Sequence, residues 1–188
     1  GAMEELRLGD PLDYATDIGP VIDAEAKEAL DAHKARMARE GRTIADLPLP
    51  AETAHGTFVS PAAYELSGIG GLTREVFGPV LHVVRFAGDR LDGVCAAINA
   101  TGYGLTLGLH TRIESTVAEV RQRVRVGNMY VNRNQIGAVV GAQPFGGEGL
   151  SGTGPKAGGP HYLSRFATER VCSTDTTASG GNAALMSM

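Results

Sequence analysis

An α/β fold on a mostly parallel sheet is what this chain predicts, and three observations carry the prediction. Short apolar runs alternate with helical periodicity in the order strand 80–86, helix 91–98, strand 105–111, helix 113–124, strand 128–132. The run VLHVVRF at 80–86 is largely apolar, as expected of a strand covered on both faces. Gly41 and Gly127 fall just past helical stretches, where a helix closes.

The elements follow in order. Ala2 to Leu8 reads as the end of a helix closed by Gly9, which implies a chain cut from something longer, although Gly1-Ala2-Met3 also fits a tag remnant. After the turn-rich GDPLDYATDIGP, residues 20–40 form the clearest helix, with Ile22, Ala26, Ala29, Leu30, His33 and Met37 at helical spacing. TFVS (57–60) and AAYEL (62–66) read as short strands. Leu91, Val94, Cys95 and Ile98 mark one helix face, and Ile113, Val117, Val120 and Val124 mark another. Thr111 and Glu114 have capping-box spacing at the start of the second. At the end ERVCSTDTT alternates like an exposed strand, so residues 167–188 are expected to form an oligomerisation or docking arm beyond a domain of residues 1–166.

The chain of 188 residues is long enough to bury a core. Trp is absent and aromatics are few, so Val, Leu, Ile and Ala must fill that core. A net charge of −4 offers no electrostatic footprint for nucleic acid or an anionic membrane. No membrane-length apolar run and no signal-peptide pattern occurs, and two cysteines make neither a disulfide framework nor a zinc site. The five histidines stand singly, without metal-ligand spacing. A reducing cytoplasm is the expected compartment.

The glycine-rich stretch 127–160 is the unusual part. Such a loop is costly in chain entropy, roughly 0.5–1 kcal/mol per glycine relative to Ala, and long loops in compact domains are functional or disordered. Val131, Ile136, Val139, Val140 and Phe145 are expected to anchor it, so it reads as backbone shaped to approach a ligand. GEGLSG (147–152) matches a dinucleotide fingerprint letter for letter, but Pro155 and Pro160 follow where a helix should open. GTGPK fails as a phosphate loop, because Pro155 splits Gly154 from Lys156 and no Ser or Thr follows the lysine. The sequon Asn99-Ala100-Thr101 closes a core helix. Cys95 lies on an apolar helix face and Cys172 lacks a basic partner, so neither reads as a nucleophile. Glu75, between apolar neighbours just before a strand, stands out among the carboxylates, though spacing alone favours a solvated turn glutamate.

REVFGPVLHVVRF resembles the aldehyde dehydrogenase superfamily, and GDPLDYATDIGPVID, INATGYGLTLGLHT, GNMYVNRN and PFGGEGLSGTG match that family in the same order. The resemblance covers nearly the whole chain. NRNQIGAVVGAQPFGGEGLSGTGPKAGGPHYL is similar to the L-glutamate γ-semialdehyde (pyrroline-5-carboxylate) dehydrogenases, in the form found within bifunctional proline-utilisation enzymes.

The resemblance implies the C-terminal part of a three-layer aldehyde dehydrogenase catalytic domain, a fragment ending in a β oligomerisation arm. It implies that Glu75 accepts hydrogen bonds from the nicotinamide ribose of NAD and that Phe77 lies near the nicotinamide ring. Gly137 and Ala138 would offer backbone N–H groups to the substrate carboxylate, and Phe145 would wall the aldehyde pocket. Asn132 would hold the loop base through side-chain to backbone bonds. The family's nucleophilic cysteine and general-base glutamate lie before the segment that begins here, and no FxxxGQxC-like stretch occurs. This chain alone is therefore expected to be inactive, and FAD to belong to an upstream proline dehydrogenase domain. The expected partners are the aldehyde, upstream domains of the same polypeptide and further copies in a homo-oligomer. The rival reading is a truncated, non-catalytic relative acting as an interaction module.

Overall fold

The structure is a computed structural model describing residues 1–175. The chain divides into two compact units: residues 1–103 with 113–125, and residues 104–112 with 126 onward.

In the first unit, helix α1 (Ala24–Glu40) is opened by Asp23, whose Oδ1 accepts the Ala26 amide at 2.7 Å. Leu30, His33 and Met37 are its buried positions, one stripe at the predicted helical spacing. Ile22 is not part of that stripe. It is 92% exposed, because the chain before Asp23 is extended and tied to Thr57 through the Val21 amide and carbonyl.

Strand β1 (Arg42–Asp46) pairs antiparallel with β2 (Ala62–Leu66), which pairs parallel with β3 (Val80–Val84). Met37 of α1 packs on Ala62, Tyr64 and Leu66, with Leu72, Val80 and Val84 around them. Tyr64 is fully buried, and its hydroxyl reaches Asp46 Oδ2 at 3.3 Å. Asp46 also takes the Lys34 ammonium at 2.8 Å, and that ammonium donates to Ser60 Oγ at 2.6 Å. These bonds satisfy the polar ends beside the apolar core.

Several expectations need correction here. TFVS forms no strand: Thr57 bonds Val21, and Pro61 lacks the N–H needed to carry a ladder into β2. The strand at 80–86 ends at Val84, where Arg85 turns to Glu65 at 2.9 Å. Ala2–Glu5 is a single 3₁₀ turn, and Leu8 forms a parallel bridge with Ile18. Strand β1 was not anticipated.

Helices α2 (Leu91–Ala100) and α3 (Glu114–Arg123) pack together, burying Cys95 and Val120. Burial raises the Cys95 thiol pKa, as suits a core cysteine. Asn99 closes α2 as expected. Its Nδ2 donates to the Arg123 carbonyl at 2.7 Å, and its Oδ1 accepts the Arg125 amide at 2.9 Å. The α3 N-cap is Ile113, so Thr111 lies outside the capping-box position.

The chain passes between units in the two-residue strand β4 (Tyr103–Gly104). The second unit contains β5 (Thr106–Leu109), paired parallel with β6 (Asn128–Val131), and the short strand β7 (Glu148–Gly149). Residues 169–175 of the expected terminal strand carry no strand, since no β-ladder is available to them within the described residues, and 176–188 lie outside those residues. Among the described residues no helix is long and apolar enough to cross a membrane. Nor does any group of three His, Cys, Asp or Glu side chains among them form a metal site.

Candidate functional site

The glycine loop of the second unit starts from β6. Asn132, the next residue, has φ of 55°, a left-handed conformation that Asn tolerates better than most side chains. Its Oδ1 accepts the Thr111 amide at 3.0 Å and its Nδ2 donates to the Thr111 carbonyl at 2.9 Å. Asn132 thus clamps the loop base to the end of β5, the role its position implied.

The loop is held by polar side chains bonding to main chain. Asn128 Nδ2 donates to the Pro144 carbonyl at 3.0 Å, and Lys156 reaches the Gly127 carbonyl and Asn128 Oδ1. Ser151 Oγ accepts the Gly104 amide at 3.1 Å. Phe145 and Ala157 exchange both backbone hydrogen bonds at 3.0 Å. The approach is close enough that a Cβ on Gly127 would lie 1.7 Å from the Gly146 carbonyl oxygen. The expected apolar anchoring does not occur. Ile136 and Val140 are 86% and 96% exposed, and Val131 and Val139 are exposed as well; Phe145 alone of the five is half-buried. Hydrogen bonds to backbone do the work expected of apolar burial.

A cleft of about 380 Å³ opens in this loop, lined by Ala138, Gln143, Pro144, Phe145 and Ala157 among others. Two predicted substrate residues, Ala138 and Phe145, therefore meet at one cleft. Gly137 precedes it with φ of 60° and open space where a Cβ would stand. Gln143 folds the segment back, its Oε1 accepting the Val139 amide at 3.0 Å. Tyr130, 5% exposed, donates its hydroxyl to the Gly137 carbonyl at 2.5 Å. Sequence reasoning missed Tyr130, Gln143 and Lys156. A Tyr rather than a Phe on a buried strand face was the available signal, since a buried phenol needs a polar partner.

Glu75 and Phe77 belong to the first unit, on the irregular segment before β3. Both are exposed, Phe77 at 79%, and the Glu75 amide donates to Tyr103 Oη at 3.4 Å. Both side chains are open to solvent, and neither lines the loop cleft. The GEGLSG glycines form a turn, with the Ser151 amide bonded to the Glu148 carbonyl, and no helix opens on them. Cys172 is exposed, and neither cysteine lines the loop cleft.

The first unit also holds a histidine pair. His33 of α1 and His82 of β3 meet Nε2 to Nε2 at 2.8 Å. Burial pushes both pKa values down, and neighbouring positive charge from Arg36 adds to this at each ring.

Comparison with known proteins agrees with these features. The aldehyde dehydrogenase family model matches residues 1–171. Bifunctional protein PutA of Klebsiella aerogenes is 57% identical over 175 residues, covering 90% of this chain and 13% of that protein. A 1-pyrroline-5-carboxylate dehydrogenase of Geobacillus sp. (strain WCH70) is 36% identical over 162 residues, covering 85% of this chain and 31% of the relative. A crystal structure of bifunctional proline utilization A (PutA) superposes with a TM-score of 0.87 at 59% identity, covering 95% of this chain and 18% of that one. A 1-pyrroline-5-carboxylate dehydrogenase from Thermus with bound NAD superposes with a TM-score of 0.79 at 34% identity, covering 88% of this chain and 31% of that one. The chain thus spans about an eighth of the PutA relative's length, 13%. With its α/β elements, its glycine loop and its first 171 residues all matched, this chain belongs to the aldehyde dehydrogenase family.

Proposed function

We propose that this chain forms the substrate-anchoring part of an NAD-dependent L-glutamate γ-semialdehyde dehydrogenase of proline breakdown. The observation that carries the reading is the loop cleft. The Ala138 amide donates to no acceptor among the described residues, beside a cleft walled by Phe145 and reached through left-handed Gly137. An uncommitted amide is a charge-assisted donor for a carboxylate, and an apolar ring suits the aldehyde's methylene chain. Similarity to PutA and to 1-pyrroline-5-carboxylate dehydrogenases supports that substrate.

In this reading Glu75 and Phe77 hold the nicotinamide riboside end of NAD. When bound, NAD supplies the hydride acceptor. Gly137 and Ala138 hold the far carboxylate, so that the aldehyde carbon stays at a fixed distance from its attacker. The thiolate that attacks and the glutamate that activates water come from polypeptide outside this chain, because Cys95 is buried with a raised pKa and Cys172 lies off the cleft. By itself the chain turns over no aldehyde. An FAD-dependent proline dehydrogenase domain in the same polypeptide, a cytoplasmic location, and an oligomerisation arm at 167–188 complete the reading.

The test is a paired kinetic measurement on the polypeptide that contains this chain, following NADH formation. Glu75→Ala is expected to raise KM for NAD more than KM for the semialdehyde, and Gly137→Val to do the reverse. Equal effects of either substitution on both substrates would remove its assignment. Turnover by the isolated 188-residue chain would defeat the division of labour.

A further inference from the structure

We propose that Tyr130 is a positioning residue for substrate selection, aiming the Ala138 amide at a carboxylate by fixing the peptide that carries it. The inference deepens the anchor-loop reading and rests on it. Peptide planarity couples the two ends of the group. The Gly137–Ala138 peptide is trans, so its C=O and N–H point in opposite directions within one plane. Tyr130, on strand β6, donates its hydroxyl to that C=O at 2.5 Å. With the oxygen held toward the buried phenol, the Ala138 N–H is held facing away from β6, and Ala138 itself lines the cleft.

Two further features make the orientation depend on Tyr130. Gly137 has φ of 60° and no atom within 4 Å of a virtual Cβ, so side-chain packing there does nothing to fix the peptide plane. The neighbouring Val139 amide is already given to Gln143 Oε1 at 3.0 Å, which leaves Ala138 as the uncommitted donor of the pair. The phenol is itself placed firmly: it is 5% exposed, and the Arg133 guanidinium stands 4.7 Å from its ring centroid. Removing the hydroxyl alone keeps the ring, its burial and that contact while freeing the peptide to rotate.

The experiment compares Tyr130→Phe with the parent dehydrogenase polypeptide on two aldehydes, L-glutamate γ-semialdehyde and uncharged butanal, with L-glutamate as a competing product. The expected result is a rise of about tenfold in KM for the semialdehyde and in the inhibition constant of glutamate, the scale of one lost charge-assisted hydrogen bond. KM for butanal and kcat should stay unchanged. Equal changes on both aldehydes, or a lowered melting temperature with no split between them, would reduce Tyr130 to a core residue. An unchanged glutamate inhibition constant would overturn the proposal as well. If the parent enzyme itself shows no preference for the semialdehyde over butanal, the functional reading fails first and takes this inference with it.

Discussion

Met37, Ala62, Tyr64 and Leu66 seal the sheet of the first unit by contact between side chains, whereas Asn128, Tyr130, Asn132 and Lys156 of the second direct their polar ends at main-chain groups. The two arrangements answer different needs. A sheet face gains stability roughly in proportion to the apolar area removed from water. The loop leaves the Ala138 amide uncommitted, the donor that the proposed anchor needs, and is braced instead at its carbonyls and at its base. The first kind of structure fails when volume is removed, and the second when volume is added.

That contrast can be broken most sharply at Gly127. Gly127→Ala should lower stability by about 3 kcal/mol or more, the upper end for overpacking, because the new Cβ meets the Gly146 backbone oxygen rather than a yielding side chain. Thermal unfolding reads the effect, and a melting temperature near that of the parent would show the loop to be far looser than described. Met37→Ala tests the opposite mode. Emptying a site that is 1% exposed should cost about 2–3 kcal/mol through lost transfer energy and the cavity left behind, as measured by denaturant unfolding.

The histidine pair sets a pH dependence confined to the first unit. Both folded-state pKa values lie below the ordinary 6.5, so the unfolded chain binds protons that the folded chain refuses. Stability is therefore full above pH 6.5 and falls as pH drops from there toward the depressed values. A melting temperature a few degrees lower at pH 5.5 than at pH 7.5 is expected, and His82→Gln should flatten the slope. The smallest effect belongs to Gly108→Ala. Its Cβ would meet the end of the Gln135 side chain, which can swing aside, but also the Gln135 Cβ at 3.2 Å, which must give slightly, so the change should stay within about 1 kcal/mol. A larger loss would mean that Gln135 is as fixed as the backbone.

Much of the fold was legible because its elements follow strong local rules. AAYEL is β2 residue for residue, and Leu30, His33 and Met37 face the core as their spacing requires. Strand β1 was not legible, since RTIAD is a mixed edge strand whose side chains are mostly exposed and whose pairing is irregular between Thr43 and Ala45. In the loop, Asn132 was readable as a clamp because short amides bond backbone locally. Ile136 and Val140 misled, because apolar character marks burial only where something is available to cover it. Tyr130 was hidden by its ring: the residue reads as core, and only the bond to the Gly137 carbonyl shows what its hydroxyl does.

The left-handed turn at Gly137 has a consequence for inheritance. A binding group made of main chain has no codon of its own. The exposed Val139 and Val140 can drift through many residue types without touching the Ala138 amide. What mutation can erase is the backbone geometry at Gly137, where any Cβ is strained, or the length of the segment between Tyr130 and Gln143. In the proposed reading, insertions and deletions there, more than substitutions, are the changes that would retarget this loop to a different aldehyde.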